Sequence, residues 1–159
     1  MSAILIGVAG CGLGDQDARS APKPPPSPTA PFTKAAVANE VGAAADASGL
    51  PPGDDSTAGM PEGDWRTCVA PWMADAPAAD AADGFAATVR TLRKQGWKLT
   101  TSHAEQDVTF RTLTKRGWKV YARHYAMDGF GTEQPVSLTA VKDGCELPEE
   151  IKGDFQDTL

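Results

Sequence analysis

Nine of the 13 prolines in this 159-residue chain fall between residues 12 and 64, and that crowding limits where a fold can form. Each proline removes a backbone N–H donor and fixes φ. A stretch carrying Pro22, Pro24, Pro25, Pro26, Pro28, Pro31, Pro51, Pro52 and Pro61 therefore supports neither a long helix nor a central strand. Ala, Gly, Ser and Asp make up most of the rest, which leaves too little apolar surface to offset the entropy of ordering. Residues 11–64 are accordingly expected to be a disordered tether, with extended polyproline II over Ala21 to Pro31. As a flexible chain it would hold the remainder of the protein roughly 40 Å from its start. Within it Thr33 could cap a short helix and Phe32 could staple onto Val37, but such a helix is too short to persist alone in water.

The folded part is expected over residues 65–148, with an acidic tail over 149–159. Phe85, Val89 and Leu92 recur at helical spacing, with Ala82 and Ala86 beside them, and Asp83 is a candidate cap. The Ala-rich run before Asp83 would also allow a start near Pro77. Gly96 suits the left-handed position that ends a helix, which lets Trp97 fold back on Leu92 as in a Schellman cap. Three or four strands come next: Trp97 to His103 (Trp97, Leu99 and Thr101 on one side), Val108 to Thr114, Trp118 to Tyr125 (Trp118, Val120 and Ala122 inward), and Val136 to Val141 (Val136, Leu138 and Ala140 together). Lys115-Arg116-Gly117 joins the second strand to the third. The expected fold class is α+β, one helix packed on a three- to four-stranded antiparallel sheet after a long linker.

A decamer occurs twice. Arg90 to Leu99 is matched by Arg111 to Val120, and both copies carry Gly-Trp, at Gly96-Trp97 and Gly117-Trp118. The first would join helix to strand and the second strand to strand, so the pair reads as convergence on one turn chemistry, a glycine at positive φ and a Trp that opens a strand. In the tail, Leu147, Ile151 and Phe155 recur at spacings of four after Pro148, which suits a helix start. That spacing would let the tail dock, whereas Gly153 and the acidic residues favour a loose end.

The formal net charge is −6, and it is unevenly spread: residues 12–64 carry −5, residues 65–148 carry +2 and residues 149–159 carry −3. The totals contain no basic field for nucleic acid and no polybasic membrane patch. Candidate chemistry is sparse. His103, Glu105 and Asp107 alternate and would share a face on a continuing strand, as metal ligands do, but the polar run Ser102 to Asp107 has the composition of a hairpin loop. His124 would need a nucleophile or an acid to serve as a general base, and the sequence places neither. There is no G-x-S-x-G elbow, H-E-x-x-H motif, P-loop or paired-cysteine redox motif, and G-x-G-x-G at Gly10, Gly12 and Gly14 has no strand before it. No catalytic residue, cofactor or metal site is assigned. Trp97 and Trp118 are expected in the core, and Trp65 and Trp72 flank Cys68 and could pack beside it. Were any Trp exposed near Lys98, Arg111, Lys119 and Arg123, it would mark a recognition surface.

The N-terminus carries an address. An apolar run from Ala3 to Val8 is too short to span a bilayer, and it ends in Val8-Ala9-Gly10-Cys11, after which the chain turns polar. This four-residue motif resembles the lipobox of bacterial lipoproteins. With the Pro/Ala-rich spacer, Trp65-Arg66-Thr67-Cys68 near the start of the domain and Gly144-Cys145 near its end, the layout looks like the surface lipoproteins of high-GC Gram-positive bacteria. The resemblance implies a signal peptide over residues 1–10, lipidation of Cys11, and a protein anchored through that lipid at the extracytoplasmic face of the cell membrane. No Lys or Arg precedes Arg19, whereas signal peptides open with a positive segment, so a basic segment upstream of Met1 is expected. If Cys11 is lipidated, Cys68 and Cys145 remain as an even pair, and outside the cytosol such a pair forms a disulfide.

The resemblance implies no activity. The reading is a non-catalytic binding or interaction module of the cell envelope, with an envelope protein, glycan or small ligand as partner and no nucleic acid. The alternatives are a small extracellular hydrolase built on His124 or the His103 to Asp107 cluster, and an accessory subunit of an envelope complex.

Overall fold

The computed structural model describes residues 30–127, 129 and 131–155. The chain divides into two units, Met1–Ala30 and Pro31–Leu159, of which the second is the one described. The expected signal peptide, Cys11 and the start of the expected tether lie outside the described residues.

The second unit is α+β. Helix α1 (Lys34–Asp46) opens it, and a 3-10 turn (Asp64–Thr67) leads into strands β1 (Val69–Ala70) and β2 (Met73–Pro77). Helix α2 (Ala78–Lys94) is next, then strands β3 (Lys98–Glu105), β4 (Val108–Lys115), β5 (Trp118–Tyr125) and β6 (Glu133–Lys142). A short helix α3 (Glu149–Lys152) and a 3-10 turn (Gly153–Phe155) are the last described elements. All pairings are antiparallel, in the order β1-β6-β5-β4-β3, and β2 also pairs with β6. The sheet thus has six strands where three or four were expected. The two extra ones are halves of one edge strand, since Ala70 pairs with Ala140 and Met73 with Ser137 in unbroken register. Pro71 interrupts the ladder because it has no N–H to donate.

The largest departure from the expected layout is α1. It lies in the stretch expected to be tether, yet Val37, Val41, Ala44 and Ala45 are all buried, Val37 completely, in the main core with Phe85, Leu92, Trp97 and Leu138. Thr33 caps the helix, accepting from the Ala36 N–H at 3.2 Å. The folded unit therefore begins near Pro31, not Trp65. An isolated 13-residue helix is marginal in water, and burial of this apolar face is what holds it.

Long-range hydrogen bonds fix α1 in place. Trp97 Nε1 donates to Glu40 Oε2 at 2.8 Å, Lys115 Nζ to Glu40 Oε1 at 2.6 Å, and Trp118 Nε1 to the Phe32 carbonyl at 3.0 Å. Both tryptophans of the repeated decamer thus grip the segment 32–40. The turns that present them need positive φ, +95° at Gly96 and +78° at Gly117. At the first, Gly96 N–H bonds Arg93 O and Trp97 N–H bonds Leu92 O, the two bonds of a Schellman cap. At the second, Arg116 (φ +49°) and Gly117 form a two-residue turn between the paired Lys115 and Trp118, with positive φ at both positions as a type I′ hairpin requires.

Other boundaries differ from expectation as well. Helix α2 starts at Ala78, after Pro77, so Asp83 lies inside it and is no cap. A bulge between Leu99 and Thr101 turns Thr101 to the face opposite Leu99. Strand β3 runs on through Glu105, and the hairpin loop shrinks to Gln106 and Asp107.

Cys68 and Cys145 form a disulfide, with Cα atoms 5.9 Å apart, that closes a loop of 77 residues. Both sulfurs lie against the Trp65 carbonyl, at 3.3 and 3.7 Å. In the chain-entropy model a closure of this length is worth about 4 kcal/mol. Beside it the tail is docked: Leu147, Ile151 and Phe155 pack with Tyr121 against Trp65, Val69 and Val141, and the Tyr121 and Phe155 rings meet edge-on at 5.5 Å. Among the described residues no buried side-chain nitrogen or oxygen lacks a partner, and no helix is long and apolar enough to cross a membrane.

Candidate functional site: the open face of the sheet

Alternation along each strand gives the sheet two faces. One carries Val120, Ala122, Leu138 and Ala140 and packs against the helices. On the other the docked tail packs over Tyr121 and Val141, and Thr139 and Met73 line a pocket with Pro52, Asp54 and Met60. Along the same face runs a cross-strand row whose central residues are half-buried. Register places His103 of β3 beside Phe110 of β4, Phe110 beside Arg123 of β5, Arg123 beside Ser137 of β6, and Ser137 beside Met73 of β2.

The row is ordered by stacking. The His103 and Phe110 rings lie 4.6 Å apart and 11° from parallel, and the Arg123 guanidinium sits 5.6 Å from the Phe110 centroid. A cation above an aromatic face is held by the ring quadrupole while its N–H donors stay available at its edge. Among the described residues Arg123 has no hydrogen bond or ion pair that would occupy those donors. Met73, half exposed, ends the row. The arrangement sets a forked cation at the end of a stacked aromatic pair, suited to a ligand that carries a carboxylate or phosphate.

The residues singled out in the sequence fare differently. His103 and Glu105 do share the open face, but Asp107 lies in the turn, and His103 is committed to Phe110. Among the described residues no three His, Cys, Asp or Glu side chains gather as metal ligands would. His124 points into the core, with Nε2 2.8 Å from Gln134 Oε1 and its ring 5.9 Å from Phe85. That amide is neither nucleophile nor acid, so the contact orients the ring and activates nothing. All four tryptophans are buried, so none marks a surface. Of the four cations named with them, Arg123 alone joins the row. Arg111 Nη1 donates to the Phe110 and His103 carbonyls, Lys119 lies at the tail end of the face, and Lys98 opens the edge strand. Phe110 is not legible as a ligand contact in the sequence because in a strand of alternating residues it reads as core. Its position opposite Arg123 depends on pairing between strands.

Chain and site together define a small α+β domain with one open, stacked sheet face. Compared with known proteins, the chain matches no family model, no curated protein and no solved structure.

Proposed function

We propose that this chain is a lipoprotein, lipidated at Cys11 and held at the extracytoplasmic face of the cell membrane, whose folded unit is a non-catalytic binding module of the envelope. The lipobox-like Val8-Ala9-Gly10-Cys11 supports the anchor, and the Cys68–Cys145 disulfide is consistent with an oxidising compartment. The observation that carries the binding reading is the row His103, Phe110 and Arg123, rigidly set on paired strands with the guanidinium donors unengaged. The ligand it suits is an envelope glycan or peptide that carries an anionic group.

Two measurements test the reading. The intact mass of protein extracted from membranes should fit a chain beginning at Cys11 with acyl groups; an unprocessed chain would remove the anchor. The immobilised domain should retain acidic glycans or peptides from an envelope-derived array. Arg123→Gln should abolish that retention while leaving the unfolding midpoint nearly unchanged, and Phe110→Ala should abolish it at a cost of about 1–2 kcal/mol in stability. Retention that survives both substitutions would refute the assignment of the site.

A further inference from the structure

Arg90, Arg93, Lys94 and Lys98 line a groove of about 590 Å³ between the last turns of α2 and the edge strand β3, walled by Trp97 and Leu99. All four cations are exposed, and among the described residues none has an ion pair or side-chain hydrogen bond. By contrast Lys115 is paired with Glu40, Arg66 with Glu62 and Lys152 with Glu149. The dipole of α2 accounts for Arg93 and Lys94 in its last turn. It does not account for Arg90, a turn earlier, or for Lys98, which is on a strand. Four like charges around one groove repel each other, and the arrangement suits a multivalent anion.

The position of the groove narrows the occupant. The folded unit begins at the same end, because the Phe32 ring lies 5.9 Å from Trp97, which walls the groove, and 5.0 Å from Lys115 Nζ. Residues 12–31 can span at most about 70 Å whatever path they take. A lipid on Cys11 would therefore confine this end near the headgroups at high effective concentration. Arginine pairs with phosphate in a bidentate fork, and Leu99, 36% exposed beside the cations, adds an apolar contact. We propose that the Arg90–Lys98 groove docks the domain on the anionic phospholipid headgroups of its own membrane. The proposal rests on the lipid-anchor reading. Along β3 the row His103, Phe110, Arg123 lies past the Leu99–Thr101 bulge from Lys98, away from the groove.

The test uses the full chain with Cys11→Ser, unlipidated, in cosedimentation with vesicles. One set is pure phosphatidylcholine and the other contains about a third phosphatidylglycerol, a charge density that draws polybasic surfaces. The chain should bind the anionic vesicles only, and raised salt should release it. Arg93→Gln with Lys94→Gln should lower partitioning about 25-fold, fivefold per charge, and Arg90→Gln with Lys98→Gln should match it. Lys152→Gln, a cation of α3, should leave partitioning within about twofold of the parent. Two independent exposed pairs guard against loss through misfolding, which circular dichroism would reveal. Absence of binding to anionic vesicles at low salt, equal binding to neutral ones, or retention by soluble polyphosphate without vesicle binding would each overturn the proposal. Because Cys11 is removed, vesicle binding stands or falls apart from lipidation, which the intact mass of the natural chain decides.

Discussion

Replacing Glu40 by Ala should destabilise the folded unit by about 2–4 kcal/mol, because one carboxylate serves two distant partners. Its Oε2 accepts from Trp97 Nε1 at 2.8 Å and its Oε1 from Lys115 Nζ at 2.6 Å. Trp97 is 2% exposed, so without Glu40 its N–H loses an acceptor where water has poor access, a loss of about 1–3 kcal/mol. Lys115 loses less. It keeps the Gln95 carbonyl at 2.8 Å and its place over the Phe32 and Trp97 rings, and the ion pair, with side chains 16% and 29% exposed, contributes only about 1 kcal/mol after screening. Urea unfolding monitored by Trp fluorescence, with the disulfide intact, reads the change as a shift in midpoint at constant slope. In a double-mutant cycle with Lys115→Met the coupling should be about 1 kcal/mol, smaller than the loss from Glu40→Ala alone, since the indole is the costlier orphan. A loss below about 0.5 kcal/mol for Glu40→Ala would refute the view that α1 is pinned through this carboxylate.

The same geometry sets outcomes elsewhere in the unit. Cys68→Ser with Cys145→Ser should cost up to about 4 kcal/mol, read as the gap between urea midpoints of oxidised parent and variant. Gly53→Ala should cost about 1–3 kcal/mol in the same assay, because a Cβ there would stand 2.2 Å from the Trp72 ring. Gly42→Ala, inside α1 with no atom within 4 Å of the added Cβ, should instead raise the thermal midpoint, by about 0.5–1 kcal/mol of stability. Phe155→Ala should loosen the tail, detected as faster amide exchange over α3 with exchange in β4 and β5 unchanged.

Local chemistry was legible in the sequence wherever the deciding partners lie within a few residues. Leu92, Gly96 and Trp97 specify their Schellman cap, Arg116-Gly117 its hairpin, and the period-two alternation of Trp118, Val120 and Ala122 the inward face of β5. The cysteine count pointed to the Cys68–Cys145 bridge. What the tertiary structure alone decided involves partners far apart in the chain. Proline crowding hid α1, whose anchors lie 57, 75 and 86 residues away at Glu40–Trp97, Glu40–Lys115 and Phe32–Trp118. Strand β1 is too short to show a pattern, β2 is made largely of Ala, Asp and Pro, which disfavour strands, and both exist because β6 supplies their ladder. A net charge of +2 over residues 65–148 averaged away the four clustered cations between α2 and β3. Likewise Phe110 became part of a surface only when register set it between His103 and Arg123. Propensity and turn chemistry act along the chain and can be read from it, whereas burial, register and charge clustering act across space and take effect only once the chain has closed on itself.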